Sequence, residues 1–191
     1  MNTVDVVNKN NPAQVIRLSR EIYYIYGPEF SDNFDYFFSS VEPELVDGKQ
    51  LIDFSYPKLH KVIGYDLHPI QFPSASEPIA TAFQYVDFSQ LKKGDVVLDL
   101  GAYSGLTSIL FKEQVGAEGR VIAVDADEVT LESTLKNFEL YENVTGNEID
   151  LCFSAIWTHN DGIEFSSEGA MGSAVTEKIG ERIARKKLYL Q

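Results

Sequence analysis

A continuous apolar run, Val96-Val97-Leu98-Asp99-Leu100, leads straight into Gly101-Ala102-Tyr103-Ser104-Gly105, after which Leu106, Ile109, Leu110 and Val115 recur at helical spacing up to Gly116. An unbroken apolar run ending on an acid is how a strand buried on both faces of a parallel sheet reads. The glycines supply a sharp exit into a helix that Gly116 can stop. A second run, Val121-Ile122-Ala123-Val124, ends on Asp125. Asp127 is placed to cap a further helix carrying Leu131, Leu135 and Phe138, and Asn143 precedes a third strand within residues 149–156. Strand, helix, strand, helix, strand is the first half of a doubly wound α/β fold. A helix over residues 78–86, with Ile79, Ala82, Phe83 and Val86 on one side, leads into the pattern through the polar turn Lys92-Lys93-Gly94-Asp95.

The 191 residues suit one medium domain with an appended amino-terminal piece. The texture changes near residue 78. Residues 1–77 are rich in aromatics and broken by Pro and Gly, and are expected to form a cap or lid on a Rossmann-like domain over 78–191. Within the cap, Asn11-Pro12 is expected to open a helix carrying Val15, Ile16, Leu18, Ile22 and Ile25, closed by Gly27-Pro28. A second helix is expected over 32–41, with short strands or extended loops such as Leu51-Ile52-Asp53-Phe54 and Val62-Ile63-Gly64-Tyr65 bounded by Pro57, Pro69 and Pro73. Tyr23, Tyr24, Tyr26, Phe34, Tyr36, Phe37 and Phe38 form packing surface for the sheet, and part of them is placed to line an apolar substrate pocket.

Charge and composition narrow the partners. Sixteen Lys and Arg against 29 Asp and Glu give a net charge of −13, opposite to what duplex nucleic acid or an anionic membrane surface requires. No run approaches the ~18–20 apolar residues of a membrane span, and the polar amino terminus has no signal-peptide core, so a cytoplasmic location is expected. The single Cys152, between Leu151 and Phe153, is expected to be a buried, inert thiol. His60, His68 and His159 lie in separate neighbourhoods without ligand spacing, and no metal site is expected. Residues 177–190 hold Lys178, Arg182, Arg185, Lys186 and Lys187 against two acids, read as a solvated helix end or linker.

The glycine turn places backbone amides and a positive helix end at the carboxyl edge of the sheet, where adenosine cofactors bind. Gly101 lets the chain leave the strand, and Gly105 lets ligand and backbone approach the helix start without an intervening Cβ. Asp125, 24 residues after Gly101, is placed to accept hydrogen bonds from ribose hydroxyls. A dinucleotide fingerprint needs a glycine where this chain has Tyr103, whose ring would crowd a diphosphate, and the phosphate-binding pattern G-x-x-x-x-G-K-[ST] is absent. A ligand with adenosine and no phosphates remains. S-adenosylmethionine fits, because its sulfonium is a cation that acids such as Asp99 favour.

At these residues the sequence resembles the FkbM-type methyltransferases. The likeness runs in order through the segments 96–105, Gly119-Arg120-Val121-Ile122-Ala123-Val124-Asp125-Ala126-Asp127, Lys136-Asn137-Phe138-Glu139-Leu140, Ser154-Ala155-Ile156 and Asn160-Asp161-Gly162-Ile163-Glu164-Phe165, about residues 75–175 in all. The resemblance implies a Rossmann-like class I methyltransferase fold and S-adenosylmethionine-dependent methyl transfer to a hydroxyl of a small molecule, natural product or sugar. It implies that Asp99, Gly101 and Gly105, with the backbone of Ala102, Tyr103 and Ser104, hold the methionine end. Asp125 would hold the ribose, and Ala126, Ser154 and Ala155 the adenine edge. Glu77 sits where the family often has an acid before the first helix, and a cofactor contact is expected there.

In that family a further Asp-bearing strand and more helices follow, whereas this sequence stops at Gln191 without them. Either a fragment of a longer protein or a degenerate half is expected, binding the methyl donor weakly and turning over slowly. The outer edge of the strand 96–100 is then expected to pair with the amino-terminal segment or with a second copy in a homo-oligomer. The alternatives to the methyltransferase reading are a non-catalytic S-adenosylmethionine-binding scaffold and, third, a nicotinamide oxidoreductase weakened by Tyr103.

Overall fold

The computed structural model describes residues 2–156 in full, together with the backbone of three short strands at 163–166, 174–175 and 187–188. Near the amino terminus Val4 and Val6 alternate with Thr3 and Asp5, the period of a half-buried strand. β1 (Thr3–Val7) pairs antiparallel with β2 (Gln14–Ser19), which pairs in parallel with β4 (Lys49–Phe54), flanked by β3 (Glu44–Val46). The strand order is β1-β2-β4-β3.

The helix expected after Asn11-Pro12 is therefore corrected. Its first half is β2, in which Val15, Ile16 and Leu18 are buried, and only Ser19 starts the helix α1 (Arg20–Asp32), its hydroxyl accepting from the Ile22 N–H at 3.2 Å. Pro28 lies inside α1 and does not close it. α2 (Phe34–Phe38) is a short version of the second expected helix, and Phe37 stacks on Phe30 with ring centroids 4.1 Å apart. β5 (Lys58–His60) and β6 (Ile70–Phe72) form a separate antiparallel pair.

The second unit follows the sequence pattern closely. α3 (Ile79–Ser89), β7 (Val96–Leu100), α4 (Leu106–Val115), β8 (Arg120–Asp125), α5 (Glu128–Thr145) and β9 (Asp150–Phe153) succeed one another, and the strands form a parallel sheet in the order β7-β8-β9. Asp127 caps α5 by accepting from the Val129 N–H at 2.8 Å. Val121 and Ala123 are buried on the face that α4 and α5 cover with Ile109, Val115 and Phe138.

The other face differs from expectation. β7 is not buried on both sides: Val96, Leu98 and Leu100 are 68%, 63% and 59% exposed, and Cys152, on the same side of β9, is exposed too. Among the described residues that face is covered at Val124 of β8, which is buried, but left open along β7 and at Cys152, which is why the expected burial of Cys152 fails. Among the described residues β7 pairs with β8 alone, and the amino-terminal segment forms its own sheet and does not complete this one. The strands β10 (Ile163–Ser166), β11 (Ala174–Val175) and β12 (Lys187–Leu188) pair among themselves. The turn expected around His159, and the basic stretch 177–190 apart from β12's backbone, lie outside the described residues. Among those residues, no helix is long and apolar enough to cross a membrane.

Candidate functional site

The turn between β7 and α4 is tied to the end of β8. Gly101 N–H and Ala102 N–H both donate to the Val124 carbonyl, at 2.8 and 3.2 Å, and Gly101 takes a φ of +87° that a side chain would strain. Asp125, at the tip of β8, closes the arrangement: Oδ2 accepts from the Tyr103 N–H at 2.7 Å and Oδ1 from the Asp127 N–H at 2.8 Å. A carboxylate oxygen has two lone-pair directions, so each oxygen keeps one for a further donor.

A cavity of about 700 Å³ opens above this edge. Glu77, Gly101, Ala102, Tyr103, Ser104, Asp125, Ala126, Ser154 and Ala155 all line it, so the structure brings together the residues singled out from sequence, except two. Asp99 faces away from the lining and accepts from the Ser108 hydroxyl at 2.5 Å, fastening β7 to α4. Burial raises its carboxyl above the ordinary range, the Ser108 bond opposing. Gly105 is also outside the lining. Its φ is +77°, and a Cβ there would stand 2.5 Å from the Phe138 ring and 3.2 Å from Thr134. The expected reason for this glycine is corrected: it admits α5 against the start of α4, not the ligand.

Other residues of the site carried a weaker signal. Thr130, Ser133, Thr134 and Asn137 are all buried on one face of α5. Within this stripe at helical spacing, Thr134 and Asn137 serve the glycine turn. Asn137 donates to the carbonyls of Ser104 and Gln71, both at 2.8 Å, and accepts from the Gln71 N–H, so it binds β6 to the glycine turn. Of the seven aromatics expected to pack there or line a pocket, Tyr26 and Phe37 reach the cavity, from α1 and α2, and Phe30, not among them, reaches it too. The strap between β6 and α3, with Ser74, Ala75 and Ser76, completes the wall. The polar residues 130, 133, 134 and 137 recur at helical spacing, the one signal in the sequence that points to them. The strap, a stretch of small residues between prolines, carries no such signal.

The wall carries three carboxylates, Glu77, Asp125 and Asp127, and among the described residues no Lys, Arg or His. Such a lining opposes a pyrophosphate and favours a cationic ligand. It therefore fits S-adenosylmethionine, with its positive sulfonium, better than a dinucleotide.

A parallel β7-β8-β9 sheet with a glycine turn and an acid at its carboxyl edge is the Rossmann-like arrangement, and the acidic lining of the cavity beside it, cation-free among the described residues, fits the S-adenosylmethionine-dependent methyltransferases of that fold. Within that class, a sequence model of the protein-L-isoaspartate(D-aspartate) O-methyltransferase (PCMT) family matches residues 31–163, and the chain belongs to this family. The FkbM resemblance agrees with this at the level of the class. The chain is 33% identical over 101 residues to a ribosomal RNA large subunit methyltransferase E of Neorickettsia sennetsu, covering 48% of this chain and 43% of the relative. It is 30% identical over 112 residues to the chloroplastic 2-phytyl-1,4-beta-naphthoquinone methyltransferase of Arabidopsis thaliana, covering 54% of this chain and 40% of the relative. The chain thus spans less than half the length of these curated relatives. A solved protein-L-isoaspartate O-methyltransferase aligns with a TM-score of 0.38 at 16% identity, over 71% of this chain and 41% of that one.

Proposed function

We propose that the chain serves methyl transfer from S-adenosylmethionine to a hydroxyl oxygen of a small molecule, natural product or sugar, the acceptor class that the FkbM resemblance implies, and that this acceptor is uncharged. The observation that carries this reading is the cavity wall, with three carboxylates and no cationic side chain among the described residues. Of the acceptors in the names of relatives, ribosomal RNA and an isoaspartyl carboxyl are anionic and would meet these acids, whereas a quinone ring is neutral.

When bound, the cofactor would supply an electrophilic methyl on a sulfonium whose thioether is the leaving group, and the acceptor hydroxyl would give up its proton to solvent. The chain's residues then have to bind and orient. The backbone of Gly101, Ala102, Tyr103 and Ser104 would hold the methionine end, with Glu77 facing its ammonium from the strap. The free lone pairs of Asp125 would take the ribose hydroxyls, held at a fixed angle by the two backbone N–H groups already bound. Ala126, Ser154 and Ala155 would border the adenine. Asp99 and Gly105 would act from behind, fixing α4 against β7 and α5.

The test is transfer of a labelled methyl group, comparing small uncharged hydroxyl compounds with an isoaspartyl peptide and a ribosomal RNA fragment. Label on the hydroxyl compounds alone is expected. Label on the peptide or the RNA alone would overturn the acceptor class.

A further inference from the structure

The strap over residues 74–77 and the glycine turn are joined by one side chain. Tyr103 stands in the middle of the turn at φ +53°, a left-handed conformation that a bulky residue rarely takes and that persists only where the surroundings hold it. Here they do so at three points. Its N–H donates to Asp125, its carbonyl accepts from the Thr134 hydroxyl at 2.5 Å, and its phenol donates to the Ala75 carbonyl at 2.9 Å. With the phenol hydrogen given to Ala75, the Ser74 hydroxyl, 2.8 Å away, is the donor to the phenol oxygen. Burial raises the phenol to about 12, so it remains protonated and able to donate at neutral pH. The strap it grips contributes Ser74, Ala75, Ser76 and Glu77 to the cavity wall, and Ser74 and Ser76 are themselves buried.

We propose that the Tyr103 side chain is a latch: through Ser74 and Ala75 it holds the strap across the cofactor cavity and thereby positions Glu77 and slows cofactor release. The phenol acts through the strap and is a positioning group. The part of the proposal that concerns release rests on the cofactor reading above.

The experiment has two arms, so that the latch and the cofactor reading fail separately. In the ligand-free protein, a Ser76→Cys thiol in a Cys152→Ser background reports opening of the strap by its rate of labelling with a disulfide reagent. Tyr103→Phe keeps the ring and removes both hydroxyl bonds. It is expected to speed labelling at least ten-fold at denaturant concentrations where the fold is intact. In the second arm, Tyr103→Phe is expected to weaken S-adenosylmethionine about ten-fold, mostly through faster dissociation. Ser74→Ala should give a smaller loss that adds nothing in the Tyr103→Phe background. An unchanged labelling rate, or one that rises only in proportion to global unfolding, overturns the latch. Faster labelling with unaltered cofactor dissociation overturns its role in release. If the wild-type chain binds no cofactor, the cofactor reading fails, and the labelling arm alone upholds or overturns the latch.

Discussion

Asp125 and Gly105 show how one residue type reads differently once its neighbours are known. The Asp125 carboxylate is shared between the fold, through the amides of Tyr103 and Asp127, and the cavity. Asp125→Ala is expected to weaken S-adenosylmethionine by about 1.5–3 kcal/mol, the scale of hydrogen bonds to a charged group, as read by titration calorimetry. The melting temperature should fall as well, because two backbone N–H groups lose their acceptor. Unchanged affinity would remove Asp125 from the site. From sequence alone Gly105 is a place where ligand meets helix, which predicts a folded variant that cannot bind. The Phe138 ring 2.5 Å from a Cβ at that position, together with the positive φ, indicates otherwise. Gly105→Val is expected to destabilise the fold by several kcal/mol, since overpacking alone costs about 1–3 kcal/mol. Urea unfolding measures it, and a variant as stable as wild type would contradict the packing seen here.

Among the elements, those from α3 to β9 were legible because strand runs, glycine stops and caps agreed with one another. Asp127 is an example: its place before an apolar-periodic stretch named it as a cap, and its carboxylate accepts from the Val129 N–H. Asp127→Ala should therefore cost about 0.5–2 kcal/mol in thermal unfolding. The amino-terminal elements were not legible to the same degree. Val15-Ile16-Arg17-Leu18 is too short for its period to separate strand from helix, and its partners in β1 and β4 decide the matter. Nor does spacing reveal that β5 and β6 enclose His60. That ring lies between Phe54 and Phe72, its Nε2 has no hydrogen-bond partner among the described residues, and burial foremost, with Lys58 adding, pushes it down to about 4. The unfolded chain takes up this proton near pH 6.5 and the folded chain only near 4. Stability should accordingly fall as pH drops through that window, by up to about 3 kcal/mol. His60→Phe, which keeps a ring in the same packing, is expected to flatten this part of the stability-against-pH curve, and an unaltered slope would assign the acid sensitivity elsewhere.

For the whole molecule, the consequential feature is the open stretch of the β7-β8-β9 sheet, where exposed Val96, Leu98 and Leu100 adjoin a strand edge that, among the described residues, is paired on one side only. An apolar face beside an open edge invites association. The 191-residue chain is expected to show a mass above monomer in size-exclusion chromatography with light scattering, and Leu98→Lys should return it toward monomer. The central claim, however, concerns what the cavity takes. Titration of the wild-type chain with S-adenosylmethionine and, under the same conditions, with NAD tests it most directly. Saturable binding of S-adenosylmethionine and none of NAD is the expected result, given three carboxylates and no cationic side chain among the described residues of the wall. Binding of NAD in preference, or of neither, would contradict the assignment of this cavity as a methyl-donor site.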